Sequence, residues 1–81
     1  MKYIYITREI SAHVKDKLYG HSNFILKKIS LKNEIFEVCY ETRVCYFINN
    51  PGAPEYKFAI PKDYAIASYS LNELELLKYL G

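Results

Sequence analysis

The alternation of apolar and polar residues between Glu34 and Ile48 constrains this chain more than any other feature. Phe36, Val38, Tyr40, Thr42, Val44, Tyr46 and Ile48 occupy every second position. A period of two is that of a strand with one buried face, and a helix cannot gather these side chains on one side. The segment is therefore extended. One long bent strand, or two strands joined near Glu41-Thr42-Arg43, would satisfy the pattern. Those three residues are poor turn formers, which favours the single bent strand.

The flanking segments extend this sheet. Phe24 to Leu31 and Glu34 to Thr42 surround Lys32-Asn33, a pair suited to a tight turn because Asn tolerates positive φ. A hairpin there would set Ile29 opposite Phe36, Ile25 opposite Tyr40, Lys27 opposite Val38 and Lys28 opposite Glu37. Lys2 to Thr7 places Tyr3 and Tyr5 on one side and Ile4 and Ile6 on the other, as in a central strand covered on both faces. Asn49 to Pro54 is the one dense run of turn residues and reads as a loop. Tyr56, Phe58 and Ile60 then alternate in a strand that Pro61 ends or places at an edge.

Two segments read as helices. Ile10, Val14 and Leu18 recur every four residues between Arg8 and Tyr19, with Thr7 as a cap and Gly20 as the turn beyond. Such a helix would show Arg8, Ala12, Lys15 and Tyr19 to solvent and bring Glu9 beside His13. Ser70-Leu71-Asn72-Glu73 is a capping box opening a helix with Leu74, Leu76, Leu77 and Leu80 on one arc and Glu75, Lys78 and Tyr79 outside it. Lys62 to Tyr69 fits either extended chain or a short helical turn. The sum is an α+β domain spanning residues 1–81: a small, mostly antiparallel sheet of four or five strands, an N-terminal-half helix and a C-terminal helix. A small β-barrel with peripheral helices is the runner-up. It becomes preferable if Arg8 to Gly20 is extended.

Composition narrows the function classes. Eleven Lys and Arg against nine Asp and Glu give a net charge of +2 with no basic tract, too scattered for a polybasic nucleic-acid or membrane arm. No apolar run approaches the roughly 20 residues that span a bilayer. Arg8 and Glu9 interrupt the first apolar residues before a signal core forms, so the expected location is cytoplasmic, with Cys39 and Cys45 reduced. Should Glu41-Thr42-Arg43 turn, those two thiols would face each other about Thr42.

The only glycines are Gly20, Gly52 and Gly81, so the backbone cradles of nucleotide sites are lacking and no cofactor is expected. Cysteine spacing does not match a zinc knuckle, and His13 and His21 complete no metal set. No catalytic residue is assigned. Glu9 with His13, or His21 near Lys27 and Lys28, with Arg8 or Arg43 as the cation, could serve an RNA-cleaving domain. Lys2, Tyr3, Tyr5, Lys27, Lys28, Tyr46, Tyr56 and Lys57 could serve an RNA-binding one. Glu34, Glu37, Glu41 and Glu55 on the same strands oppose a phosphate track.

Nine tyrosines remain to be placed. Tyr40, Tyr46 and Tyr56 share strand faces with Val, Ile and Phe and are assigned to the core. Tyr19, Tyr64, Tyr69 and Tyr79, with Arg8 and Lys15, are assigned to a partner-binding surface, since a tyrosine ring beside mixed charge suits a protein interface. The leading expectation is a small non-enzymatic domain that binds and occludes a larger protein, in the manner of a phage-type accessory protein acting on a host or defence factor in the host cytoplasm. RNA binding or cleavage is the alternative. A homodimer pairing through the Tyr46 strand or the Tyr3 strand is compatible with either.

Overall fold

The computed structural model describes the backbone of residues 1–17, 24–51 and 53–81, and the side chains of those outside 14–27 and 52–55. The elements follow in the order β1 (Tyr3–Ile6), β2 (Ser11–Lys17), β3 (Phe24–Ser30), β4 (Ile35–Glu37), β5 (Tyr40–Glu41), β6 (Cys45–Asn50), β7 (Ala53–Pro61), a 3-10 turn (Lys62–Tyr64), β8 (Ala65–Ser68) and α1 (Leu71–Leu80). The strands form three small antiparallel sheets, ordered β4-β1-β8, β2-β3 and β5-β6-β7. The α+β class holds, with three sheets in place of one and, among the described residues, one helix in place of two.

β1 is central, as its doubly apolar sequence requires. It pairs with β4 on one side and β8 on the other, and Ile4, Tyr5 and Ile6 are all buried. Its ladder with β4 runs on into β2 and β3: Ile6 N–H donates to Glu34 O, Asn33 N–H to Ile6 O, and Leu31 N–H to Ile10 O. Ile6 to Ile10 is four steps (10 − 6) where Glu34 to Leu31 is three (34 − 31). The extra residue falls where Leu31 to Glu34 turns, and the turn bends the ribbon there. β1–β2 and β3–β4 therefore act as two long strands folded over the core at that point. Asn33 takes φ 68° in the turn closed by Glu34 N–H to Leu31 O, and its Oδ1 accepts from the Tyr5 hydroxyl at 3.1 Å.

The core collects Ile4, Ile6, Ala12, Leu31, Tyr46, Ile48 and Ile60, with Ile10, Ile29, Phe36, Val38, Phe58 and Tyr64 packed around it. α1 lies against β1 and β8 and buries Leu74. Ser70 caps it as the capping box requires, its hydroxyl accepting from Glu73 N–H at 3.3 Å. The reciprocal half is rerouted: Ser70 N–H donates to the Ser68 hydroxyl, which donates to Glu73 Oε2.

Four expectations are corrected. The helix expected over Arg8 to Tyr19 gives way, as far as the chain is described, to a strand: Ser11–Lys17 pairs along its length with Phe24–Ser30, and Leu18 and Tyr19 lie outside the described residues. A four-residue repeat is also a multiple of two, so the spacing of Ile10, Val14 and Leu18 in the sequence satisfies a strand as readily as a helix, and Ala12, on the same alternation, is buried. The hairpin between Phe24–Leu31 and Glu34–Thr42 does not form either: Lys32-Asn33 turns as expected but bends the chain without returning it, and β4 pairs with β1. Glu34 to Ile48 is not one strand. Thr42 replaces the missing turn residues, its hydroxyl accepting from Val44 N–H and Cys45 N–H at 3.4 and 3.2 Å, while Thr42 N–H donates to Cys45 O at 2.9 Å. Finally, Leu76 and Leu80 are exposed, so the core-facing arc of α1 narrows to Leu74 and half-buried Leu77.

Candidate functional site

The turn at Thr42–Cys45 decides which tyrosines reach the surface. With two residues at its tip, Thr42 and Cys45 share a face, and so do Tyr40 and Phe47, which are register partners. Tyr46 and Ile48 then point inward, and Glu41, the register partner of Tyr46, lies at the exposed margin of their face. The even-numbered alternation that looked continuous changes sides at the turn: Tyr46 is 9% exposed, whereas Tyr40 is 50% exposed. Val44, at the tip, is exposed as well. The assignment of Tyr40 and Tyr56 to the core is thus overturned, and that of Tyr46 stands.

The outer face of β5-β6-β7 follows from its registers. Phe47 opposes Tyr40 on one side and Ala59 on the other; Cys45 opposes Pro61; Asn49 opposes Lys57. The Tyr40 and Phe47 rings stack at 4.6 Å between centroids and 14° between planes. Around them stand short side chains, Thr42, Cys45, Ala59 and Pro61, so the ring pair rises above a low surround. Lys57 closes one end with its amine on Asn49 Oδ1, and exposed Arg43 stands at the turn. Cys39 donates to Asn49 Oδ1 at 3.5 Å and lies beyond the Tyr40–Phe47 pair from Cys45. The turn that would have faced the two thiols is centred on Thr42, whereas this one is centred between Arg43 and Val44, and both thiols are free.

On the inward side of the same strands sits a charged cluster drawn from three distant parts of the chain. Lys2 Nζ donates to Glu41 Oε1 at 2.8 Å and Lys62 Nζ meets Glu41 Oε2 at 3.1 Å. Both amines lie over the Tyr46 ring, at 5.9 and 5.2 Å, and Lys2 is 5.4 Å from the Tyr69 ring centre. The hydrogen bond from Lys2, then that from Lys62, lowers the Glu41 pKa; the same bond to Glu41 raises that of Lys2. Partial solvent access keeps such pairs weak and sensitive to salt. The cluster pins β5 to the start of β1 and to the 3-10 turn.

Of the residues assigned to partner binding, Arg8 and Tyr64 come together. The guanidinium is 5.3 Å from the ring centre and 3.3 Å from Asp63 Oδ2, and Thr7 Oγ1 donates to Tyr64 O. Tyr64 is half-buried against the core. Tyr69 is exposed beside Lys2, and Tyr79 is exposed on α1. Tyr19 lies outside the described residues, as does His21. Lys15 is in β2 opposite Leu26, so the helical face expected to join Arg8, Lys15 and Tyr19 does not exist. The Glu9–His13 pairing goes with it, because four residues of largely extended chain separate side chains by on the order of 10 Å. Tyr5 and Tyr46 are buried and Lys2 is tied to Glu41, so the expected RNA-binding set does not share a face.

Among the described residues no three potential metal ligands cluster, and no cavity opens to enclose a small molecule. No described helix is long and apolar enough to cross a membrane. No family model, curated protein or solved structure matches this chain.

Proposed function

We propose that this chain is a small non-enzymatic protein-binding domain whose contact surface is the open face of β5-β6-β7. The observation that carries the reading is the half-exposed Tyr40 ring, stacked on Phe47 and standing above short neighbours. A ring already fixed by stacking loses little conformational freedom when a partner closes over it, and aromatic anchors of this kind dominate interface energetics. We infer further that the three sheets behave as one small bent barrel. Val38 N–H bonds Lys2 O while Cys39 N–H bonds Phe47 O, so β4 passes directly into β5; β7 passes into β8 through the 3-10 turn. Such continuity holds the face rigid. Occlusion of a host or defence factor by a phage-type accessory protein is the role we propose for it.

RNA binding on the same face is the second reading, favoured by one feature. Glu41, which opposes a phosphate track in the sequence, lies on the other side of its strand from the ring pair and is held by two lysines, while Arg43 and Lys57 flank the ring pair.

Affinity purification from a bacterial lysate, with and without nuclease, separates the two. The expected result is a retained protein that survives nuclease and is lost with Tyr40→Ala. Retention of nucleic acid alone, abolished by nuclease, would replace the first reading by the second.

A further inference from the structure

We propose that the β2–β3 ribbon is a second, separate interaction surface, and that its outer face seats in the major groove of duplex DNA. The basic residues are scattered along the sequence, but the fold gathers them. Residues 11–30 hold four lysines against Asp16, a net +3, so the rest of the chain contributes −1 to the total of +2. The ladder then sorts these residues between two faces, because opposite partners in an antiparallel pair share a face and successive rungs alternate. Ala12 and Ile29 form one rung, buried and half-buried against the core, so theirs is the inner face. Val14–Lys27 and Asp16–Ile25 belong to it too. His13 and Lys28 form the next rung, and both are exposed. Lys15–Leu26 and Lys17–Phe24 fall on that outer face. Three lysines therefore share the outer face with no carboxylate from Ser11–Lys17 or Phe24–Ser30, while Lys27 shares the inner face with Asp16. Glu9 stands at the foot of the outer face, where it accepts from the Ser11 hydroxyl at 3.5 Å.

Three features select duplex DNA as the occupant. The first is shape. β1 and β6, the strands on which a homodimer would pair, have neighbours on both edges, whereas β2–β3 is a two-stranded sheet by itself. β2 touches β7, and contacts of the ribbon with the other elements are marginal. The major groove of B-form DNA, about 12 Å wide, admits a two-stranded ribbon, and the groove of A-form RNA is too narrow for it. The second is the placement of the cations. Lys15 and Lys17 lie on one strand and Lys28 on the other, so a ribbon lying in the groove offers charge to both of its phosphate walls. The third is the placement of the apolar residues. Leu26 is opposite Lys15 and Phe24 opposite Lys17, so apolar and basic positions interleave on one face. An element lying on an anionic membrane keeps them on opposite faces. Within a groove, apolar side chains between cations suit the thymine methyl groups.

Fluorescence anisotropy of a labelled DNA duplex, titrated with the full chain between about 50 and 200 mM salt, tests the proposal. Three phosphate contacts predict that the logarithm of the association constant falls with that of salt at a slope of about −2.7. Lys28→Gln should reduce the slope by about 0.9 and weaken binding roughly 8-fold at about 100 mM salt. Lys27→Gln makes the same charge change on the inner face and should leave the slope as in the parent. Circular dichroism checks that both variants keep the parent fold, and Tyr40→Ala should bind DNA as the parent does. Absence of binding at the lowest salt, equal losses from Lys27→Gln and Lys28→Gln, or loss with Tyr40→Ala would each overturn the proposal. So would equal affinity for duplex RNA of the same sequence, or binding to phosphatidylserine vesicles but not to DNA, which would give the ribbon to a membrane surface.

Discussion

Replacing Tyr40 and Tyr46 one at a time by alanine tests the side change at the Thr42 turn. Tyr46 is 9% exposed and packs among Ile4, Ile48 and Ile60. Removing it deletes nearly a whole buried ring and leaves a cavity, a loss of about 3–5 kcal/mol. Tyr40 is 50% exposed and its principal contact is the stack on Phe47. Its removal forfeits half the transfer contribution and the stack, about 1–2 kcal/mol. An 81-residue chain has a total stability on the order of 4–12 kcal/mol. Tyr46→Ala therefore takes most of the lower end of that range, and Tyr40→Ala leaves a folded protein. Urea unfolding followed by far-ultraviolet circular dichroism reads both: with a slope near 1 kcal/mol per molar, the Tyr40 midpoint should fall by roughly 1–2 M and the Tyr46 transition should shift far more or vanish. Equal losses, or a larger loss at Tyr40, would mean that the alternation runs unbroken through the turn and that the open face does not exist.

Other consequences concern single contacts. Thr42→Ala removes the hydroxyl that serves two backbone donors in a turn lacking Gly, Asn or Pro, and should cost about 1 kcal/mol, whereas Thr42→Ser should cost much less; thermal unfolding distinguishes them. Asn33→Gly should hold stability better than Asn33→Val, because φ is 68° there and a β-branched residue is strained in that region. Ser70→Ala should lose about 1 kcal/mol with reduced helical signal at 222 nm; an unchanged melting curve would show that Ser68 and Glu73 cap the helix unaided. The Glu41 pKa is lowered on folding, so its stabilising contribution is present above the ordinary carboxylate range and disappears as pH falls through the lowered value; that of Lys2, raised, is present below the ordinary lysine range and is lost as pH climbs through the raised one. Melting temperature should then fall less steeply below pH 5 in Glu41→Gln than in the parent, and identical slopes would remove the cluster from the account.

The sequence disclosed elements whose signals are local. Ser70 and Glu73 announce the C-terminal helix, Pro61 ends its strand, Lys32-Asn33 turns, and Tyr3–Ile6 reads as central because both faces are apolar. What it concealed depends on pairing. Ile10, Val14 and Leu18 fit two periods at once, and only the seven-residue ladder with Phe24–Ser30 selects the strand. Lys2 and Glu41 are 39 positions apart, so no spacing rule joins them. The candidate face was missed for a related reason: a side-chain hydroxyl at Thr42 makes the turn, and the two residues at its tip exchange inside for outside without a glycine to mark them.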